Sequence, residues 1–281
     1  MARFIPPRHY RDYLRFHYLP YEVVKEEDWQ ALRQKITSRF CPEQPEVSIV
    51  IIVYNEQDYL LATLASLADM EPRYATEIVM VNNNSDDDTA RILELSGVRT
   101  VFQPIPGIPE TRQAGLQAAR GRYVITGDAD TIYRKEWVNE LIQPLKQPSV
   151  ACSFSMYVFY TENNQYGLPH ILYHWAKYLS IRLKNIRRPH LNAMGGSMAF
   201  RKADAERFGG YNMEMRRGSD GHLAWRLSAQ GKVTFVDRKK ADVYSNMRRT
   251  LKDGTLMQAF WIRARNQLRY FSHYFTPQNK S

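Results

Sequence analysis

The chain is poor in cysteine, in long apolar runs and in acidic residues relative to basic ones, and each shortage removes a class of protein. Two cysteines, Cys41 and Cys152, in 281 residues can form at most one bridge, which excludes a disulfide scaffold and makes a reducing, cytoplasmic setting the expectation. The longest clean apolar run, Ile49 to Val53, is far below the roughly 20 residues needed to cross a bilayer as a helix. The opening Met-Ala-Arg-Phe-Ile-Pro-Pro-Arg sets two prolines and a charge where a secretory signal would need an uninterrupted apolar core, so no leader is expected. Acids are outnumbered, with 39 Lys and Arg against 29 Asp and Glu and a formal net charge of +10. Such an excess suits phosphate-bearing ligands or an anionic membrane. No recognised nucleic-acid module accompanies it, so nucleic acid is not an expected partner.

What is present is an alternation of short apolar runs with helical patterns. Val47–Val53, Glu77–Val81, Val98–Phe102 and Tyr123–Thr126 read as strands, and Leu60–Leu67, Thr89–Leu95 and Thr111–Ala119 as helices between them. This is the pattern of an α/β protein with a mainly parallel sheet. Ser85-Asp86-Asp87-Asp88 before Thr89 has the spacing of a capping box, so the loop after the second strand is expected to open a helix. Val150–Tyr160 reads as one longer strand, followed by a helix from about Tyr166 to Lys184. Residues 1–45, rich in aromatics, prolines and charges, read as a wrapping arm with one short helix beginning near Trp29.

The strongest chemical signal is Gly127-Asp128-Ala129-Asp130 directly after an apolar strand. Two carboxylates in that spacing at a strand end can hold a divalent cation with one member and a ribose hydroxyl with the other, because hard cations take oxygen ligands. Ligands of open α/β sheets sit at such strand ends. A solvated acidic turn is the bland alternative. Tyr54-Asn55-Glu56 and Asn82-Asn83-Asn84-Ser85 close the two earlier strands, and a segment from Gly107 to Arg112 precedes the acidic pair.

In that order these elements resemble the nucleotide-binding half of glycosyltransferase family 2, over Val47 to about Trp137. The resemblance implies a GT-A fold, a nucleotide-sugar donor such as a UDP-sugar, and a magnesium or manganese ion. It implies that Tyr54 stacks near the base with Asn55 and Glu56 beside it, that Asn83 meets the base edge, that Asp128 faces the ribose and that Asp130 holds the metal. An Asn at 83 can serve, since its side-chain oxygen accepts from the N–H of a uracil ring. Val53 and Asn82 stand where family members often carry Thr and Asp. Arg112 reads either as a cation for the donor diphosphate or as a surface helix residue.

The second half resembles the family's acceptor side in Gly195-Gly196-Ser197 and Gly209-Gly210-Tyr211, with Gly218-Ser219-Asp220 where the family carries an acidic pair at a helix start. By that resemblance Asp220 is the base that deprotonates the acceptor hydroxyl, and Ser219 replaces the first acid. A plain helix N-cap is the alternative for Asp220, and His222 is the rival base. Arg248 and Arg249 resemble an Arg-Arg segment that helps stabilise the diphosphate; a solvated basic face is the alternative. The implied division is 1–45 arm, 46–137 nucleotide-sugar half, 138–247 acceptor half and 248–281 basic, aromatic, helical tail.

The reading is an inverting, metal-assisted glycosyltransferase acting on a glycan or lipid-linked acceptor, cytoplasmic and compatible with peripheral attachment at the inner membrane face. A non-catalytic sugar-nucleotide binder and a sugar-phosphate nucleotidyltransferase are the alternatives; the latter lacks a glycine in Tyr54-Asn55-Glu56 to grip phosphate. His170 and His174 have a metal-like spacing but no third ligand nearby, so ordinary packing is expected of them. Tyr166–Arg188 and Phe260–Phe275 mix aromatic, Leu and basic residues; core packing with a basic outer face is expected, with attachment to anionic lipid as the alternative.

Overall fold

The computed structural model describes residues 3–161, 166–215, 217–246 and Arg248. The expected Arg249, the rest of the expected helical tail and Phe260–Phe275 lie outside these residues. Val47–Val53 (β1), Thr76–Asn82 (β2), Arg99–Phe102 (β3) and Tyr123–Asp128 (β4) are parallel neighbours in the order β3-β2-β1-β4. β1 is apolar along nearly its whole length because both sheet faces are covered, as parallel sheets require. Ile49 and Ile51 pack to one side with Leu60, Leu64 and Leu67 of α3 (Leu60–Ala68). Val50 packs to the other with Leu116 of α5 (Ile108–Ala118). Between β2 and β3 lies α4 (Thr89–Ser96). These elements match the expected alternation to within a few residues.

The sheet continues through Ser197–Arg201 (β8), antiparallel to both neighbours, then Val150–Phe154 (β6) and Lys232–Phe235 (β9). A second sheet joins Thr131–Ile132 (β5), Val243–Asn246 (β10) and Tyr157–Tyr160 (β7). The expected single strand over Val150–Tyr160 is therefore two strands in two sheets. The backbone turns at Ser155 and Met156, whose groups are taken by different partners: Ser155 N donates to Ser197 O at 3.2 Å and Val243 N to Met156 O at 3.0 Å. The capping box is also absent. Asp87 Oδ1 accepts from Thr89 N at 2.9 Å, while Ser85 Oγ accepts from Asn55 N at 3.1 Å and so ties two loops together.

The remaining helices are α1 (Arg11–Leu14), α2 (Glu26–Phe40), α6 (Trp137–Leu145), α7 (Leu168–Arg187), α8 (Lys202–Arg207) and α9 (Ser219–Leu227). The N-terminal segment crosses the molecule: Arg3 pairs with Asp242 at 2.7 Å and also with Asp237, and the Tyr10 ring centre lies 4.0 Å from that of Tyr244. No helix among the described residues is long and apolar enough to cross a membrane. His170 and His174 are buried inside α7. His174 Nε2 accepts from Phe159 N at 2.8 Å and its Nδ1 lies 2.9 Å from His170 O, which makes it a neutral structural imidazole rather than a ligand.

Candidate active site

The register of the three central strands brings the sequence motifs to one edge. Val53 lies opposite Asn82, and Ile52 opposite Asp128, so Tyr54, Asn83 and Asp128 leave adjacent strand ends across roughly 10 Å of sheet. The Tyr54 ring stands out from this edge, 54% exposed. Asn55 adopts a left-handed backbone, φ 51°, a conformation Asn tolerates better than most residues. Its amide donates to Asp86 Oδ1 at 2.6 Å and accepts from Asp86 N at 3.1 Å, locking the first two loops together. Asn83 is buried against the 105–111 loop; with its amide turned to suit its neighbours, the nitrogen donates to Ile105 O at 3.0 Å and the oxygen accepts from Gly107 N at 3.2 Å. Both asparagines thus shape the edge beside Tyr54.

Arg112 is the centre of the arrangement. The surface-helix alternative is overturned: α5 presses onto the sheet through Gly115, where a Cβ would lie 2.2 Å from Val50 Cγ1, and this carries Arg112 inward to 2% exposure. Its guanidinium donates to Gly127 O at 2.8 Å and to Asp128 Oδ1 at 2.7 Å, and its Nε lies 3.5 Å from Asp220 Oδ1. Burial alone would lower the guanidinium pKa, but the Asp220 and Asp128 carboxylates outweigh it and leave it raised. The side chain is a fixed cation between the acid at the end of β4 and the acid at the start of α9. Tyr133 clamps the same turn from below, accepting from Asp128 N at 2.7 Å and donating to Asp128 O at 2.8 Å.

Asp220 is not the plain helix cap that stands as its alternative reading. The N-cap of α9 is Gly218, in the left-handed region at φ 79°, with no side-chain cap, so the plain N-cap alternative is excluded. Asp220 instead folds over Arg112. Burial raises its pKa above the ordinary carboxylate range, Arg112 opposes that rise, Asp128 adds to it and the Gly195 N–H opposes it; the net direction is up. A carboxylate so tuned is a better proton acceptor than an exposed aspartate. Gly195 and Gly196 permit the close packing: a Cβ on the first would lie 2.4 Å from Asp220 Oδ1, and on the second 2.3 Å from Asp128 Oδ2. Asp128, Arg112, Asp220 and His222 line one open cavity of about 830 Å3. His222 also has a buried Nδ1 without a partner among the described residues, and burial, then Arg226, lowers its pKa.

Asp130 is not among the residues that line that cavity. It is 4% exposed and lies 3.4 Å from Arg248, which also pairs with buried Glu56 and sits 4.3 Å above the Tyr59 ring. Two buried carboxylates meeting one guanidinium form a locus that favours positive charge. No group of three or more Asp, Glu, His or Cys among the described residues could hold a metal alone. Asp130 fits a cation whose other ligands are water and phosphate oxygens, the usual manner of magnesium. Tyr157 and Trp225 are among the cavity residues that sequence reasoning missed. Tyr157 hides in the misread strand, its buried hydroxyl unpartnered among the described residues, and Trp225 reads only as one more apolar position of α9. A larger cleft of about 1050 Å3 lies between the N-terminal segment and α2, lined by Tyr13 and Trp29; neither Asp128 nor Asp220 borders it, so the smaller cavity is the candidate site.

The profile described as Glycosyl transferase family 2 matches residues 48–209, more than half of the chain. The undecaprenyl-phosphate 4-deoxy-4-formamido-L-arabinose transferase of Pseudomonas fluorescens is 34% identical over 106 residues, 34% of this chain and 31% of that protein. The chain thus spans about a third of that curated relative. Among solved structures, the mannosyltransferase PcManGT from Pyrobaculum calidifontis, in complex with GDP-Man and Mn2+, superposes with a TM-score of 0.55 at 17% identity, over 84% of this chain and 70% of that one. TarS 1–349 of S. aureus in complex with UDP gives 0.57 at 17% identity, over 81% and 72%. At such identities the likeness is one of fold.

Proposed function

The chain belongs to glycosyl transferase family 2, and from that premise we propose that it is an inverting glycosyltransferase using a nucleotide-sugar donor, a UDP-sugar in the first instance, and transferring a hexosyl or N-acetylhexosaminyl unit. The observation that carries the reading is Arg112, which ties the donor-side acid Asp128 to the acceptor-side acid Asp220 at the wall of one cavity. Two carboxylates held apart by a buried cation face a single space, and displacement at an anomeric carbon needs groups on both sides of it.

In this reading Tyr54 stacks on the base, at an edge shaped by Asn55 and Asn83, and Asp128 accepts from the ribose. Asp220 takes the proton of the acceptor hydroxyl as that oxygen bonds to the anomeric carbon, and the nucleoside diphosphate leaves from the opposite face with inversion. Asp130 would hold a magnesium or manganese ion, whose chemistry is to neutralise the departing diphosphate. Arg248, already resting on Asp130 and Glu56, lies beside that charge, and Arg249 is assigned with it. The acceptor is a hydroxyl of a glycan or lipid-linked acceptor, and the setting is cytoplasmic, in keeping with two free thiols.

The test is single-turnover transfer from a UDP-sugar with donor affinity measured separately. Asp220→Asn should lower transfer by about 10²–10⁴-fold with nucleotide affinity retained, and His222→Ala should cost far less. Full activity in Asp220→Asn with collapse in His222→Ala would move the base to the histidine; nucleotide affinity without any turnover in the unmodified protein would make it a binder.

A further inference from the structure

Helix α7 is inside out. Its inward face carries His170, Tyr173, His174 and Ile181, all buried, while its outward face is a row of Leu168, Leu172, Trp175, Leu179, Leu183 and Ile186. Exposure along that row runs from 48% at Trp175 to 75% at Ile186. Spacings of three and four keep all six on one stripe. The expected core packing with a basic outer face is thus reversed: histidines face in and leucines face out. Exposed contiguous apolar surface of this kind marks a docking face.

The charges decide what docks. Across its 20 residues α7 contains no Asp or Glu but has Lys177, Arg182, Lys184 and Arg187. Arg182 and Arg187 are exposed and lie on opposite flanks of the stripe by the helical repeat; Arg182 pairs with Asp237 at 3.1 Å through one guanidinium nitrogen while its side chain stays 57% exposed. A second copy packed stripe to stripe would bring cations against cations with no acid on either helix to answer them. An anionic bilayer answers both features, since phosphate headgroups meet the flanking arginines and the acyl region takes the leucines, with a Trp at the interfacial depth such rings favour.

We propose that α7 is an in-plane docking helix for an anionic phospholipid bilayer. Just past the helix end, Leu191 and Met194 are both exposed and both line the cavity that holds Asp220. Docking therefore sets the cavity mouth against the lipid surface, so a lipid-linked acceptor would present its headgroup to Asp220 without leaving the membrane. That last consequence rests on the transferase reading; the docking itself does not.

Vesicle flotation of the full chain, without donor or acceptor, tests it. Binding to vesicles of phosphatidylcholine containing phosphatidylglycerol should exceed binding to phosphatidylcholine alone by at least tenfold and weaken with salt. The triple variant Leu172→Ser/Leu179→Ser/Leu183→Ser should lose at least tenfold of that binding while keeping its unfolding midpoint and nucleotide affinity, because all three side chains are exposed. Unbound wild type, equal binding to both vesicles, or undiminished binding by the triple variant overturns the proposal. A concentration-dependent dimer that the variant abolishes, with no vesicle binding, gives the face to a second copy instead.

Discussion

Replacing Arg112 with methionine separates the site's electrostatics from its packing, because methionine keeps much of the volume and none of the charge. The guanidinium lies 2.7 Å from Asp128 and 3.5 Å from Asp220, whose side chains are 25% and 19% exposed. Removing one partner of a buried ion pair costs about 3–5 kcal/mol. The residual solvent contact of both acids places Arg112→Met at the lower end, about 3 kcal/mol in urea unfolding at neutral pH. Without the cation, burial and the Asp128 charge are left to raise the Asp220 pKa further. A base must be deprotonated to act, so the acid limb of the transfer rate should move to higher pH in the variant. Arg112→Met/Asp220→Asn should recover part of the stability, since it removes one of the orphaned charges, with a coupling of about 1–3 kcal/mol. A loss below about 1 kcal/mol together with strict additivity in the double variant would refute the bridge as an energetic unit.

Two further outcomes follow from other parts of the chain. In Asp130→Ala, calorimetric UDP affinity should lose its dependence on magnesium or manganese, and unchanged dependence would remove Asp130 as the ligand. Burial first, then Lys177 and His170, lowers the His174 pKa to about 3. The unfolded chain, with its ordinary value near 6.5, then binds the proton first as pH falls, so stability is complete above about 6.5 and declines below it. Between pH 7.5 and 5 this term amounts to about 2 kcal/mol, and a His174→Asn variant with an unchanged pH slope would contradict it.

The first half of the fold was legible because its strands are buried on both faces and its helices on one, which writes continuous runs and a period of 3.6 into the sequence. The split after Phe154 was not. Ser155 and Met156 are themselves buried, so no glycine, proline or polar cluster marks the turn, and the two strands are separated only by partners far away in sequence. The candidate site was legible as motifs and illegible as an arrangement. Asp128, Asp130 and Asp220 stand out as motifs, yet nothing local says that Asp128 pairs with Arg112 while Asp130 pairs with Arg248.

Arg112 shows why. A helical arginine reads as a surface residue because burying a charge is costly unless it is paired, and its partners come from the end of β4 and the start of α9, in the two halves of the chain. The close approach that pairs them depends on Gly115, Gly195 and Gly196, each with too little room for a Cβ. Each glycine alone could be a turn or a sequence accident. Taken with a buried arginine, they record one requirement, that three segments pack around two acids with the cation between them. Helix α7 carries the complementary lesson: its period was readable but not its sense, since histidines and leucines alternate by face and only the surrounding fold decides which face is inside. In this chain the polar face took the interior, because Phe159 N and the His170 and Phe4 carbonyls offered hydrogen bonds there. The apolar face was thereby left outside, where a lipid surface can use it.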